Sequence, residues 1–186
     1  GHTEAPAALV ATSRALSGVT HLFNAMPPIS ARAPGPAGAA LVSDRLYAGI
    51  IADGHHVDPH NLALAARLMQ DRLILVSDAM PTVGHDSTGF TLAGRRIALQ
   101  GGRLTAEDGT LAGAHLTLDR AVRTMVAQAS VPVGLALRMV SGVPARVLGL
   151  ERELGRIAPG YRASLTCLSQ DLRTIRVIVD GHPHDG

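Results

Sequence analysis

Histidine and aspartate recur in this 186-residue chain just after short apolar runs. His21 closes the run VTH, His55 and His56 follow YAGIIADG, and Asp78 closes RLILVSD, while His2 stands near the start. Imidazoles from two neighbouring strands can hold Zn²⁺ through neutral nitrogen and leave a position for water. A carboxylate on a third strand can take a proton from that water and return it to a leaving group. Spacing alone leaves other readings open. His2 and His21 lie 19 residues apart, in neither an HxH nor an HExxH pattern. A single histidine is more often a satisfied core residue, Gly1-His2 also reads as a cloning scar, and Asp78 after Ser77 also suits a cap or turn. The joint pattern separates these readings, because packing does not explain one strand end after another carrying a polar group.

The elements that must position these residues alternate. A short helix is expected over 4–17, stopped by Gly18, followed by a brief strand at VTHLF. Pro27, Pro28, Pro34 and Pro36, with Gly35 and Gly38, mark a long irregular loop. Strands follow at 47–54 and 72–79, the latter a continuous apolar run of the kind buried on both faces. Between them, Asp58 caps a helix over 58–70 that has proline at its first position and an apolar stripe. Strand and helix in alternation, with polar residues at each strand's C-terminal end, indicate a parallel α/β layout with function at that edge. Beyond Pro81, segment 90–105 reads as an antiparallel excursion. LTLDRAVRTMVAQA and VGLALRMVSGVPARVLGL then read as two helices, and 163–168 and 175–179 as strands of a separate small sheet.

Composition removes several function classes. Nearly half of the residues are apolar, so the chain is globular. Two Phe, two Tyr and no Trp leave a core of Ala, Val, Leu and Ile and argue against base stacking. All 17 basic residues are arginine, so neither a Schiff-base lysine nor a carbamylated lysine comes from this chain. Scattered arginines and a formal charge of +2 give no nucleic-acid footprint. No apolar run reaches the roughly 20 residues of a membrane span, and the lone Cys167 fits a reducing cytoplasm.

The stretches GHTEA, THLFNAMPPISAR, GIIADGHHVD, LVSDAMP, DGTLAGAHLT, PARVLGL and LGRIAPGYRASLT occur in that order. Together they resemble the C-terminal part of the N-acetylglucosamine-6-phosphate deacetylase family of the amidohydrolase superfamily, over essentially the whole chain. The resemblance implies the C-terminal half of a (β/α)8 barrel over 1–158, with the excursion near 90–105, and the last strands of a small β-sandwich over 159–186. It implies ligands of a divalent metal, zinc, at His2 and His21, which sets aside the cloning-scar reading. Asp78 becomes the catalytic acid/base. Asn24, Ala25, Arg32 and His56 become substrate contacts, Arg32 on the phosphate, and Leu111, Ala112 and Gly113 cover the substrate. The implied reaction releases acetate from N-acetylglucosamine 6-phosphate. The galactosamine epimer is the alternative substrate, and a non-catalytic domain the alternative class. Family members are usually homodimers, with Arg32 serving the neighbouring subunit's site. One departure is minor: Ser164 stands where the family often has an acidic residue.

The family's remaining ligand, a glutamate in a His-Leu-Glu-Gly-Pro stretch, does not occur here. It is expected upstream of Gly1, and the chain by itself is not expected to turn over substrate. Other residues take ordinary roles. His55, His60, His85 and His115 read as solvent-facing or loop histidines, and His182 and His184 as a frayed tail. Met26 and Met80 read as packing, Asp53 as the residue that positions His56, and Arg95 with Arg96 as a solvated hairpin face.

Overall fold

A computed structural model describes residues 14–184. The helix expected over 4–17 and the metal ligand expected at His2 therefore lie wholly or largely outside the described residues. Strands β1 (Gly18–Val19), β2 (Tyr47–Ile50) and β3 (Leu73–Leu75) form a parallel sheet in the order β1-β2-β3. Backbone bonds from Leu22 N to Gly49 O (2.7 Å) and from Val76 N to Ile50 O (3.0 Å) continue the pairing past the strand ends. Both longer strands stop short of the expected 47–54 and 72–79. The ladder ends where polar side chains begin to bond their own loop, at Asp53, or where the backbone turns left-handed, at Asp78.

Helix α1 (Gly35–Val42) corrects the expected loop. Pro36 falls in the first turn, where a missing N–H costs nothing, and the alanine-rich stretch from Ala37 to Leu41 is buried while Val42 is exposed. Helix α2 (Pro59–Met69) follows the expected pattern: Asp58 caps it by accepting from His60 N, and Leu62, Ala65, Ala66 and Met69 form its buried stripe. The core under these elements is aliphatic, with Leu22, Ile50, Leu62 and Leu73 fully enclosed. It also takes in Met69, Met125 and Met139, which the composition argument omitted. Flexible thioethers fill the irregular gaps that aromatic rings would fill elsewhere.

The excursion is larger than a hairpin. Strands β4 (Gly89–Leu92), β5 (Arg95–Gln100), β6 (Arg103–Ala106) and β7 (Leu111–Ala114) form a four-stranded antiparallel sheet around Ile97, Leu104 and Ala106. Its last residue returns to the parallel layer through a parallel bridge between Ala79 and Ala114. Three helices follow rather than two: α3 (Leu118–Gln128), α4 (Val133–Val140) and α5 (Gly142–Val147). The second expected helix breaks at Ser141, whose backbone leaves the helical region and whose hydroxyl turns back to Leu137 O at 2.7 Å.

Strands β8 (Leu165–Leu168), β9 (Thr174–Val179) and β10 (His182–His184) form the final antiparallel sheet, so His182 and His184 are strand residues and not a frayed tail. This sheet is tied to α3 through Asp119 and Arg123. Arg123 Nη1 donates to Asp119 Oδ2 (2.7 Å) and to Leu172 O (2.8 Å). Burial alone would raise the Asp119 carboxyl. Bonds from Thr117, Arg123 and the Thr174 and Arg120 amides outweigh that and hold it at about 2. Among the described residues no helix is long and apolar enough to cross a membrane.

Gly18 allows the first pairing of the parallel sheet, because a Cβ there would stand 2.6 Å from Tyr47 O. Gly18→Ala should therefore cost about 1–3 kcal/mol in urea unfolding. An unchanged midpoint would show that β1 is not held against β2 as described.

Candidate active site at the strand ends

Because β1, β2 and β3 run parallel at the usual spacing of about 4.8 Å, the residues after each strand share one edge. His21 follows β1, Asp53, His55 and His56 follow β2, and Asp78 follows β3. The backbone at this edge is strained. Nine non-glycine residues among those described have positive φ, and four of them are His21 (36°), Phe23 (74°), Ala25 (51°) and Asp78 (46°). Each costs on the order of 1 kcal/mol or more, and such strain persists where surrounding contacts over-determine the geometry.

Alternating left-handed residues roll the chain after β1 into a tight turn. Asn24 N donates to His21 O (2.8 Å), and Asn24 Nδ2 donates to Leu22 O (3.2 Å). Leu22, fully enclosed, anchors the turn from beneath. His21 Nδ1 lies 2.8 Å from Asn24 O. A carbonyl only accepts, so Nδ1 carries the proton and a neutral His21 keeps its lone pair on Nε2. A backbone carbonyl commonly orients a metal-binding imidazole in this way.

Asp53 is the polar centre of the second strand end. Its Oδ1 accepts from His55 N (2.8 Å) and His56 N (2.9 Å), and its Oδ2 accepts from His56 Nδ1 (2.7 Å). Burial pushes its carboxyl up, but the His56 ring bond and the two amide bonds prevail and bring it from 3.8 down to about 2. Asp53 is therefore ionised throughout the neutral range, and His56 Nδ1 must be the donor. The His56 ring is fixed, with Nε2 left for a ligand. The expected role of Asp53, positioning His56, agrees with these contacts.

Asp78 is exposed, and its carboxylate meets no hydrogen-bond partner among the described residues. Its backbone, by contrast, is held closely. Ala114 N donates to Asp78 O (2.8 Å), and Met80 N donates to Ala114 O (3.1 Å). Gly113, at φ 72°, is required here, since a Cβ would collide with Met80 and stand 3.3 Å from Asp78 O. Leu111, Ala112 and Gly113 thus lie on the strand that buttresses Asp78, and Met80 packs against the Ile97, Leu104 and Ala106 cluster, the packing role expected of it. Arg32 projects from an exposed two-residue turn closed by Ser30 N to Ala33 O at 2.9 Å. Ala25 is exposed beside Asn24.

Spacing did not single out Thr82, and two histidines in this region depart from the solvent-facing or loop reading. Thr82 is fully buried, and its Oγ1 lies 2.9 Å from His115 Nδ1, so His115 is not a free loop histidine. No periodicity signals that pair, because it joins segments 33 residues apart. His55 also departs from the solvent-facing reading: its Nε2 is enclosed without a partner, near Gly102 and Arg120. His60 and His85 are exposed as expected, and so are Arg95 and Arg96.

A divalent cation fits this site only in part. His21 presents a correctly protonated imidazole. No group of three or more His, Cys, Asp or Glu side chains among the described residues is arranged to hold a metal.

The Asp53 assignment has a pH consequence. A carboxyl lowered in the fold gives stability that is complete above its unfolded value near 4 and is lost as pH falls towards about 2. Lowering from 3.8 to about 2 corresponds to about 2 kcal/mol. Urea unfolding between pH 2 and 7 should show a shallower acid limb for Asp53→Asn. Parallel limbs for the two proteins would contradict the geometry.

Comparison with known proteins agrees with this architecture. The amidohydrolase family model matches residues 2–183. N-acetylgalactosamine-6-phosphate deacetylase of Escherichia coli O157:H7 is 37% identical over 164 residues, covering 88% of this chain and 44% of that protein. A putative N-acetylgalactosamine-6-phosphate deacetylase of Escherichia coli K12 is 37% identical over 161 residues, covering 87% of this chain and 96% of that protein. The crystal structure of N-acetylglucosamine-6-phosphate deacetylase from Pasteurella multocida superimposes with a TM-score of 0.95 at 35% identity, covering all of this chain and 50% of that one. The chain thus spans about half the length of two of these three relatives. A parallel sheet with polar strand ends, a left-handed Asp78 and a match over nearly every residue lead to one conclusion: this chain belongs to the amidohydrolase family.

Proposed function

We propose that this chain supplies the acid/base, one imidazole metal ligand and the phosphate-binding arm of an amide hydrolase. Its substrate is N-acetylglucosamine 6-phosphate, and its products are acetate and glucosamine 6-phosphate. The observation that carries this reading is the meeting of His21, the Asp53–His56 pair and an unengaged Asp78 carboxylate at one edge of three parallel strands. The names of the relatives support the substrate class.

Each side chain suits its role. The planar fork of Arg32 matches a phosphate monoester, and its exposed turn suits reach into a neighbouring subunit of a homodimer. His56, oriented by Asp53, offers Nε2 to the sugar. Asn24 and Ala25 turn the chain over the substrate, and Leu111, Ala112 and Gly113 cover it. Zinc would be held by His21 Nε2, His2 and an upstream glutamate, and when bound it polarises the amide carbonyl and acidifies water. Asp78 takes the proton of the attacking water as its oxygen bonds to the acetyl carbon. The same carboxyl delivers that proton to nitrogen as the C–N bond breaks. The lone Cys167, a free thiol, suits a cytoplasmic enzyme.

A second reading replaces the substrate by its galactosamine epimer, and the identity to the Escherichia coli enzymes favours it. Acetate release from both epimers, assayed on a polypeptide that joins this chain to its complementary half, decides between them. In that polypeptide Asp78→Asn should lower kcat by about 10²–10⁴-fold with zinc content unchanged. Retained turnover would contradict the acid/base role, and a parent protein without zinc or turnover would favour a non-catalytic domain.

A further inference from the structure

Asp78 pairs an exposed carboxylate with a backbone conformation that L-residues resist, at φ 46°. An acid/base must hold its position within a fraction of an ångström, since misplacement of about 1 Å can cost on the order of 100-fold. Two segments meet behind Asp78. Residues 78–82 run beside 114–115, joined by the Ala79–Ala114 parallel bridge and its two backbone bonds. Just past the bridge the Thr82 hydroxyl meets His115 Nδ1 at 2.9 Å, with Thr82 at 0% exposure. Beyond it, Val83 N donates to Met80 O (3.0 Å) and folds the chain back. Leu116, 1% exposed, roots the other segment in the core. Without that clasp, two backbone bonds would have to hold a strained residue at the edge of a sheet.

We infer that Thr82 and His115 form a positioning clasp that locks the Asp78 strand junction and so aims its carboxylate; this rests on the acid/base reading of Asp78. Neither residue touches substrate in this account. Thr82→Val keeps the shape but removes the hydroxyl, leaving His115 Nδ1 without its partner. Thr82→Ser keeps the hydroxyl.

The test combines amide hydrogen exchange on this chain with kinetics on the polypeptide joined to its complementary half. In Thr82→Val the Ala114 and Met80 amides should exchange at least 10-fold faster, while Val76 N, bonded on the other side of β3, stays as in the parent. In the joined polypeptide, kcat should fall on the order of 10- to 100-fold with KM within 2-fold. Thr82→Ser should restore both. Unchanged exchange at Ala114 and Met80 in Thr82→Val overturns the clasp. Faster exchange with unchanged kcat, in a protein that Asp78→Asn inactivates, overturns the positioning role. Turnover retained in Asp78→Asn overturns the acid/base reading itself, and the exchange data distinguish that outcome from failure of the clasp.

Discussion

Parallel pairing of three very short strands is the constraint on which the rest of the molecule depends. β1, β2 and β3 together contain nine residues in five register pairs, yet they bring residues 21, 53–56 and 78 to one edge. Strands this short do not persist alone. They are held by enclosed Leu22, Ile50, Ile51, Leu73 and Leu75, against which α2, α3 and α4 pack. Apolar burial stabilises the sheet non-directionally. Gly18 lets the backbones approach, and Gly49 makes room for the Val76 side chain, whose Cγ1 lies 3.1 Å from where a Cβ would stand. With the strands set so tightly, the chain can leave β1 and β3 through strained conformations without losing the fold.

The strain and the hydrogen bonds at this edge act together. Left-handed residues after β1 bring the Asn24 carbonyl onto the His21 ring, fixing which nitrogen is free. After β2 the ionised Asp53 does the same for His56, at the cost of burying a carboxylate that three donors then satisfy. After β3 a neighbouring strand holds the backbone of Asp78 and leaves its carboxylate open. All three solutions share one design: the main chain or a buried acid takes one face of the functional group, and the other face is left for a ligand. The final sheet meets α3 where Arg123 donates to Leu172 O and Thr174 N donates to Asp119 Oδ2, and Leu172 packs against the main core.

Much of this was legible in the sequence, for physical reasons. The α2 helix showed in the Asp58 cap, the Pro59 start and the 62, 65, 66, 69 stripe, all local signals. Polar residues closing apolar runs marked the C-terminal edge at His21, His56 and Asp78. What was not legible depends on contacts distant in sequence or on backbone angles. Proline and glycine hid α1, because the same residues serve a loop and a helix start. The extent of the β4–β7 sheet, the strand at 182–184 and the Thr82–His115 bond arise from pairing across the fold. The buried methionines escaped an argument from composition because Met carries no periodic signature of its own.

The central claim is that the fold fixes His21 with Nε2 free at the same edge as Asp78. Long-range ¹H–¹⁵N correlation spectra of the polypeptide that joins this chain to its complementary half, recorded with and without zinc, test it. Nδ1–H tautomers are expected for His21 and His56, with a zinc-dependent shift at His21 Nε2. A His21 with its proton on Nε2, or zinc shifts confined to exposed His60 and His85 with His21 unmoved, would contradict it.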